Sequence, residues 1–121
     1  AGGWGTLVLR TVGRKTGKER LAVLGYIEDG PTYVTLALNG GAAPDPAWWL
    51  NLQARPEAAM EVRPADGGPV RTLAIRAREA TGPERDRRLL AYAQVGDDPR
   101  AYEQTRGHAT AVVVLEPFAG A

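Results

Sequence analysis

Residues Thr6-Leu7-Val8-Leu9-Arg10-Thr11-Val12-Gly13-Arg14-Lys15-Thr16-Gly17-Lys18-Glu19-Arg20-Leu21-Ala22-Val23-Leu24-Gly25-Tyr26-Ile27 hold two apolar runs separated by a glycine-bracketed basic turn. Both runs read as strands, so the turn closes a hairpin, and Gly13 and Gly17 supply the positive φ values that such a loop needs. Between the glycines, successive backbone N–H groups can converge on one concavity, while Arg14 and Lys15 supply charge and Thr16 a hydroxyl donor. This is an inventory for binding phosphate. Arg10, Arg14, Lys15, Lys18 and Arg20 put five of the 15 basic residues in one short stretch, against the single acid Glu19. The competing reading is a solvated loop kept charged for solubility. A Walker-type loop is excluded, because the spacing G-x-x-x-x-G-K-[ST] is absent and the turn leads into a strand, which argues against nucleotide hydrolysis.

The 121 residues suit one domain, 1–121, large enough to fold without staples. The chain has no cysteine and no serine, and His108 is its one histidine. Disulfides, thiolate metal sites, multi-histidine metal clusters and Ser-His hydrolysis are therefore excluded, and no metal is expected. A formal charge of +1 and a basic turn without interleaved aromatics argue against nucleic acid as a partner. No apolar run approaches the length that spans a bilayer, and no signal-peptide pattern opens the chain. The expectation is a cytoplasmic protein. Because the chain starts Ala1-Gly2-Gly3-Trp4 without an initiator methionine, peripheral membrane contact through a missing N-terminal segment is the alternative.

Six strands are predicted: Thr6 to Val12, Arg20 to Glu28, Thr32 to Leu38, Ala59 to Arg63, Val70 to Arg78 and Thr110 to Leu115. Asp29-Gly30-Pro31 reads as a second tight hairpin, and Pro64 to Pro69, built on Asp66-Gly67-Gly68, as a third. In the fifth strand Leu73, Ile75 and Ala77 alternate with Ala74, Arg76 and Arg78, the period of two expected when one face meets a core. The first, third and sixth strands are apolar on both faces, which suits central strands of a closed barrel. Three helices interrupt them. The first runs from about Pro46 to Arg55 with Asp45 as its N-cap. The second starts at a Thr81/Glu84 capping box and continues to about Gln94, and the third runs from Asp98-Pro99 to Gly107 and carries Tyr102. The fold expected is mainly β (α+β), a split barrel of about six antiparallel strands with short inserted helices.

A second informative stretch follows the third strand, where Asn39-Gly40-Gly41 leads through Asp45-Pro46 into Ala47-Trp48-Trp49-Leu50-Asn51-Leu52. The glycine pair lets backbone pass close to a flat ligand, and the helix N-terminus offers N–H groups and a positive dipole end. Trp48 and Asn51 lie three apart on one helical face, where an indole can stack and an amide can bridge to a ligand carbonyl. Trp49 and Leu52 form another such pair and are expected to face the core. Residue statistics favour both tryptophans as core.

Gly13-Arg14-Lys15-Thr16-Gly17-Lys18, Leu24-Gly25-Tyr26, Asn39-Gly40-Gly41 through Pro46-Ala47-Trp48-Trp49-x-Asn51-Leu52, Tyr102 and the closing Val112-Val113-Val114-Leu115-Glu116-Pro117 together resemble the deazaflavin-dependent nitroreductase family over nearly the whole chain. The resemblance implies a split β-barrel oxidoreductase that uses the reduced 8-hydroxy-5-deazaflavin coenzyme F-420. It implies a phosphate grip by Arg14, Lys15, Thr16, Gly17 and Arg20. A ring lining is implied from Ala37, Leu38, Asn39, Gly40 and Gly41, and further cofactor contacts from Trp48 and Asn51. It further implies a planar electron acceptor such as a quinone, enone or nitroaromatic. Tyr102, on the late helix that closes over the substrate in relatives, is the expected catalytic donor. Tyr26, Tyr33, Tyr92 and His108 are the other candidates. An actinobacterial source fits the bias toward Ala, Arg, Gly and Pro. Leu38 and Asn39 depart from the Ser or Thr and the Lys that relatives carry there, which removes polar reach near the reactive face. Two rival readings accompany the resemblance: an FMN-binding split barrel, and a non-catalytic carrier of a cofactor or lipid-like ligand.

Overall fold

The computed structural model describes residues 3–38, 44–95, 107 and 109–118. Six strands, β1 (Trp4–Val12), β2 (Glu19–Asp29), β3 (Thr32–Leu36), β4 (Glu57–Pro64), β5 (Arg71–Ala80) and β6 (Val112–Pro117), form a closed antiparallel barrel in the order β1-β2-β3-β6-β5-β4. Helix α1 (Ala47–Ala54) joins β3 to β4, and α2 (Gly82–Val95) follows β5. Closure leaves no long free sheet edge except at one place. Glu19 to Ile27 pair with β1 along the whole run, whereas β3 meets β2 only from Ile27 to Asp29. The first part of β2 thus faces away from β3, and the barrel wall is split there.

Strand alternation sorts the side chains into two cores. Leu7, Leu9, Met60, Val62, Ile75, Val113 and Leu115 fill the barrel, and Trp49 and Leu52 of α1 pack into the same cluster. Ile27, Val34, Leu36, Ala80, Val112 and Val114 point outward into a second cluster, which Leu89, Ala91 and Tyr92 of α2 cover. This explains why β3 and β6 are apolar on both faces: each lies between the barrel interior and a helix. β1 was expected to share that pattern and does not. Thr6 and Arg10 on its outer face are exposed, because α2 packs against β2, β5 and β6 and leaves β1 uncovered.

Two helix starts also differ from expectation. At α1 the capping position is Pro46, in extended conformation (φ −66°, ψ 148°) with no side-chain cap. Its carbonyl accepts from Trp49 and Leu50 N–H, so Asp45 precedes the cap. At α2 the Glu84 carboxylate does not reach back to Thr81. It accepts from Arg78 Nη1 and Nη2 at 2.7 Å each and from Arg88 Nη2 at 3.0 Å, charge-assisted bonds that outweigh a neutral cap. Arg88, only 6 % exposed, also donates to Asp29 and Thr32 at 2.9 Å each. This ties α2 to the β2–β3 turn. The third expected helix, with Tyr102, lies outside the described residues, as do Asn39, Gly40, Gly41 and His108.

Candidate functional site

The β1–β2 turn is built from its own backbone. Gly13 N–H donates to the Lys18 carbonyl and Gly17 N–H to the Gly13 carbonyl, both at 2.8 Å. Gly17 takes a left-handed φ of +72°, as expected. Gly13 does not, and the reason for glycine there is space: a Cβ would stand 3.1 Å from Thr16 Oγ1 and 3.2 Å from the Lys18 carbonyl oxygen. Thr16 Oγ1 accepts from Lys18 N–H at 3.3 Å and from Arg20 Nη2 at 3.5 Å.

Helix α1 docks on this turn through Asn51. Its Oδ1 accepts from the Arg14 backbone N–H and from Arg14 Nη1, each at 3.1 Å, while Nδ2 donates to Thr11 Oγ1 at 3.3 Å. Asn51 and Thr11 are both buried, so these bonds satisfy groups that water does not reach. Within Gly13 to Lys18, the N–H groups of Lys15 and Thr16 are left without an acceptor among the described residues. The nest expected over the whole turn is therefore two donors wide.

Above these donors opens a cleft of about 490 Å³ whose wall includes the cations Arg14, Lys15 and Arg20 and no acid among its described lining residues. A second cleft of about 350 Å³ follows the split in the barrel wall, lined by Val23, Leu24, Gly25, Leu36, Leu38 and Tyr92 among others. Ala22, Pro46 and Trp48 line both, so the two adjoin, with these three residues as their common wall. Trp48 is 9 % exposed: it belongs to the barrel core, as residue statistics favour, and still forms part of both walls. A ligand with an anionic arm and a flat apolar body matches the pair of clefts, with cations and free N–H groups in one and no charged side chain among the described lining residues of the other.

The expected site residues divide accordingly. Arg14, Lys15, Thr16, Arg20, Trp48 and Asn51 meet at the cationic cleft, and Leu38 with Trp48 at the apolar one. Ala37 is wholly buried in the barrel core, its N–H on the Ala111 carbonyl at 3.1 Å, and Gly17 shapes the turn without lining the wall. Tyr26 and Tyr33 lie inside the barrel, packed edge to face with centroids 5.3 Å apart. Tyr33 OH accepts from Arg71 at 2.6 Å. Tyr26 OH has no partner among the described residues, and burial, followed by the nearby Glu28 carboxylate, raises its pKa. Neither tyrosine is among the described residues that line these two clefts. The sequence reading missed Ala22 as shared wall, since nothing local marks an alanine in mid-strand.

The comparisons agree with this geometry. Residues 2–117 match the model of a family described as F420H(2)-dependent quinone reductase. A stretch of 59 residues, 49 % of this chain, is 39 % identical to the F420H(2)-dependent quinone reductase of Mycobacterium tuberculosis, and the same figures hold for a putative one of Mycobacterium bovis. That stretch covers 40 % of those relatives' length. Among solved structures, an F420-H2-dependent reductase superimposes with a TM-score of 0.74 at 27 % identity, over 92 % of this chain and 93 % of that one. HutZ, the heme storage protein of Vibrio cholerae, shares the fold alone, with a TM-score of 0.67 at 15 % identity over 95 % and 82 % of the two chains. With 2–117 matched and a six-stranded split barrel in common, this chain belongs to the F420H(2)-dependent quinone reductase family.

Proposed function

We propose that the protein binds reduced coenzyme F-420 and transfers a hydride from it to a planar acceptor, of which a quinone is the foremost case. The observation that carries this reading is that a cationic cleft and an apolar one adjoin at Ala22, Pro46 and Trp48, because the coenzyme joins a flat tricycle to a phosphate-bearing tail. When bound, the deazaflavin supplies a two-electron hydride donor that resists one-electron leakage to oxygen. The protein supplies position and exclusion of water. Lys15, Arg20 and the Lys15 and Thr16 N–H groups hold the phosphate, and Arg14, itself held by Asn51, adds charge from a fixed place. Trp48 forms the wall at the junction, where the flat body begins. The apolar slot past it, free of charged side chains among its described lining residues, lets acceptor and ring stack without intervening water. Tyr102 is retained as a proposed donor on the acceptor side.

No helix among the described residues is long and apolar enough to cross a membrane. A cytoplasmic place of action fits this together with the cysteine-free composition, and an actinobacterial source fits the mycobacterial relatives. The test is a fluorescence titration against oxidised F-420 beside FMN at equal salt, followed by turnover of menadione with the reduced coenzyme. Binding of F-420 in preference to FMN, with turnover, is the expected result. Preference for FMN, or binding without turnover, overturns it in favour of a flavin protein or a carrier.

A further inference from the structure

Where the barrel wall splits, the separation of β2 from β3 rests on side chains. The two strands pair only from Ile27 to Asp29, and further along the gap Thr35 Oγ1 donates to the Gly25 carbonyl at 2.8 Å. Helix α2 runs over this region. Its Leu89 and Tyr92 pack on the outer cluster that includes Ile27, Val34 and Leu36, and Tyr92 goes on to line the apolar cleft. A Cβ on Gly25 would stand 3.7 Å from the Tyr92 hydroxyl oxygen, so Tyr92 meets β2 where the wall opens. Four residues earlier on the same helical face stands Arg88, the one buried residue among the 14 of α2. The deepest anchor of this helix is therefore a cation. Arg88 Nη1 donates to Asp29 Oδ2 and to Thr32 Oγ1, each at 2.9 Å, and Nη2 to Glu84 Oε2 at 3.0 Å. Asp29 ends β2 and Thr32 begins β3, so one guanidinium nitrogen spans both strands at the closed end of the split. Glu84 is held in turn by Arg78 of β5, whose Nε donates to Glu116 of β6 at 3.1 Å. A planar fork with fixed donor directions keeps such a geometry.

We propose that Arg88 is a positioning residue for acceptor binding. By pinning α2 to the closed end of the split, it fixes how far Tyr92 stands from β2, and so the width of the apolar slot that takes a planar acceptor. The inference rests on the hydride-transfer reading above. A flat acceptor gains its dispersion energy from walls in contact with it, and a displacement of about 1 Å is enough to forfeit much of that contact and of the alignment for transfer. The phosphate end of the coenzyme lies elsewhere, in the cleft walled by the β1–β2 turn, β2 and α1. The two binding events therefore respond differently to Arg88: loss of the clamp weakens the acceptor and largely spares the coenzyme.

The experiment compares wild type, Arg88→Met, Asp29→Asn, the double variant and, as a control for lost stability, Val62→Ala in the barrel core. Three quantities are read: amide hydrogen exchange over Gly82–Val95 in the protein alone, F-420 affinity by fluorescence, and steady-state reduction of menadione. Arg88→Met keeps an unbranched stem without the charge. It is expected to speed exchange over α2 and to raise the menadione KM about tenfold, with F-420 affinity and kcat within about threefold of wild type. Asp29→Asn carries the same expectation at smaller amplitude and serves alone if Arg88→Met does not fold. The double variant is expected to raise KM no further than Arg88→Met, because both changes remove one link. Unchanged exchange over α2, an unchanged KM, additive effects in the double variant, or an equal rise of KM in Val62→Ala overturns the assignment. Failure of the wild type to bind F-420 is read before any variant, and it overturns the proposed function and this inference together.

Discussion

Asn51 holds Arg14 across 37 residues of chain, with one side-chain oxygen accepting both the backbone N–H and the guanidinium of Arg14 at 3.1 Å each. The basic turn is therefore fixed by a helix that follows two strands later, and its most prominent cation is already partnered.

Removing the clasp is expected to affect stability and binding together. Asn51→Ala leaves the Arg14 N–H without its acceptor and the buried Thr11 hydroxyl without its donor, a cost of about 1 to 3 kcal/mol. Urea unfolding monitored by tryptophan fluorescence reads that loss, and an F-420 titration is expected to weaken as α1 and the turn separate. Unchanged stability would show that the clasp is solvated and of no account.

Lys15 separates the two effects. It makes no hydrogen bond or ion pair among the described residues and lines the cationic cleft. Lys15→Ala is expected to leave the unfolding midpoint unchanged and to weaken F-420 binding about tenfold, the equivalent of one charge-assisted hydrogen bond. Added salt should narrow the difference between the two proteins. Arg14→Ala, by contrast, should lower both affinity and stability, since it also removes the guanidinium bond to Asn51 while the backbone N–H bond stays.

Acid should loosen α2 through Glu84. Hydrogen bonds first from Arg78 and then from Arg88 lower its pKa from 4.5 to about 2. A carboxyl depressed in the folded state contributes stability that is complete above its unfolded pKa and is lost as pH falls through the folded one. Melting temperature is thus expected to decline between about pH 4.5 and about pH 2 on this account, and Glu84→Gln should flatten that part of the profile. An identical profile in the variant would assign acid unfolding to other carboxyls.

Gly5 and Gly30 test two different reasons for glycine. A Cβ on Gly5 would lie 2.3 Å from the Arg63 carbonyl oxygen and 2.9 Å from the Ala65 nitrogen, both backbone atoms of the adjoining β4 edge. Gly30 has a φ of +62° and open space around it. Gly5→Ala is expected to destabilise by about 3 kcal/mol, because β1 must move off β4. Gly30→Ala is expected to cost only about 1 kcal/mol, the left-handed penalty alone. Denaturant midpoints in the reverse order would contradict this account.

The sequence by itself determined the six strands, their hairpin turns at Gly17, Gly30 and Gly67, the α1 and α2 segments and the basic character of the β1–β2 turn. These features are local: a period of two, a glycine at positive φ and a run of cations are each complete within a few residues. It also marked Trp48 and Asn51 as one helical face. Only the tertiary structure decided what that face does. Asn51 meets Arg14 and Thr11 because closure of the barrel brings β1 under α1, and Trp48 walls two clefts because β2 departs from β3 after three paired residues. The same holds for Glu84, whose spacing from Thr81 spells a cap and whose carboxylate instead meets Arg78 on β5. Charge-assisted contacts of that kind depend on which strand ends beside which helix, and no short window of sequence contains that relation.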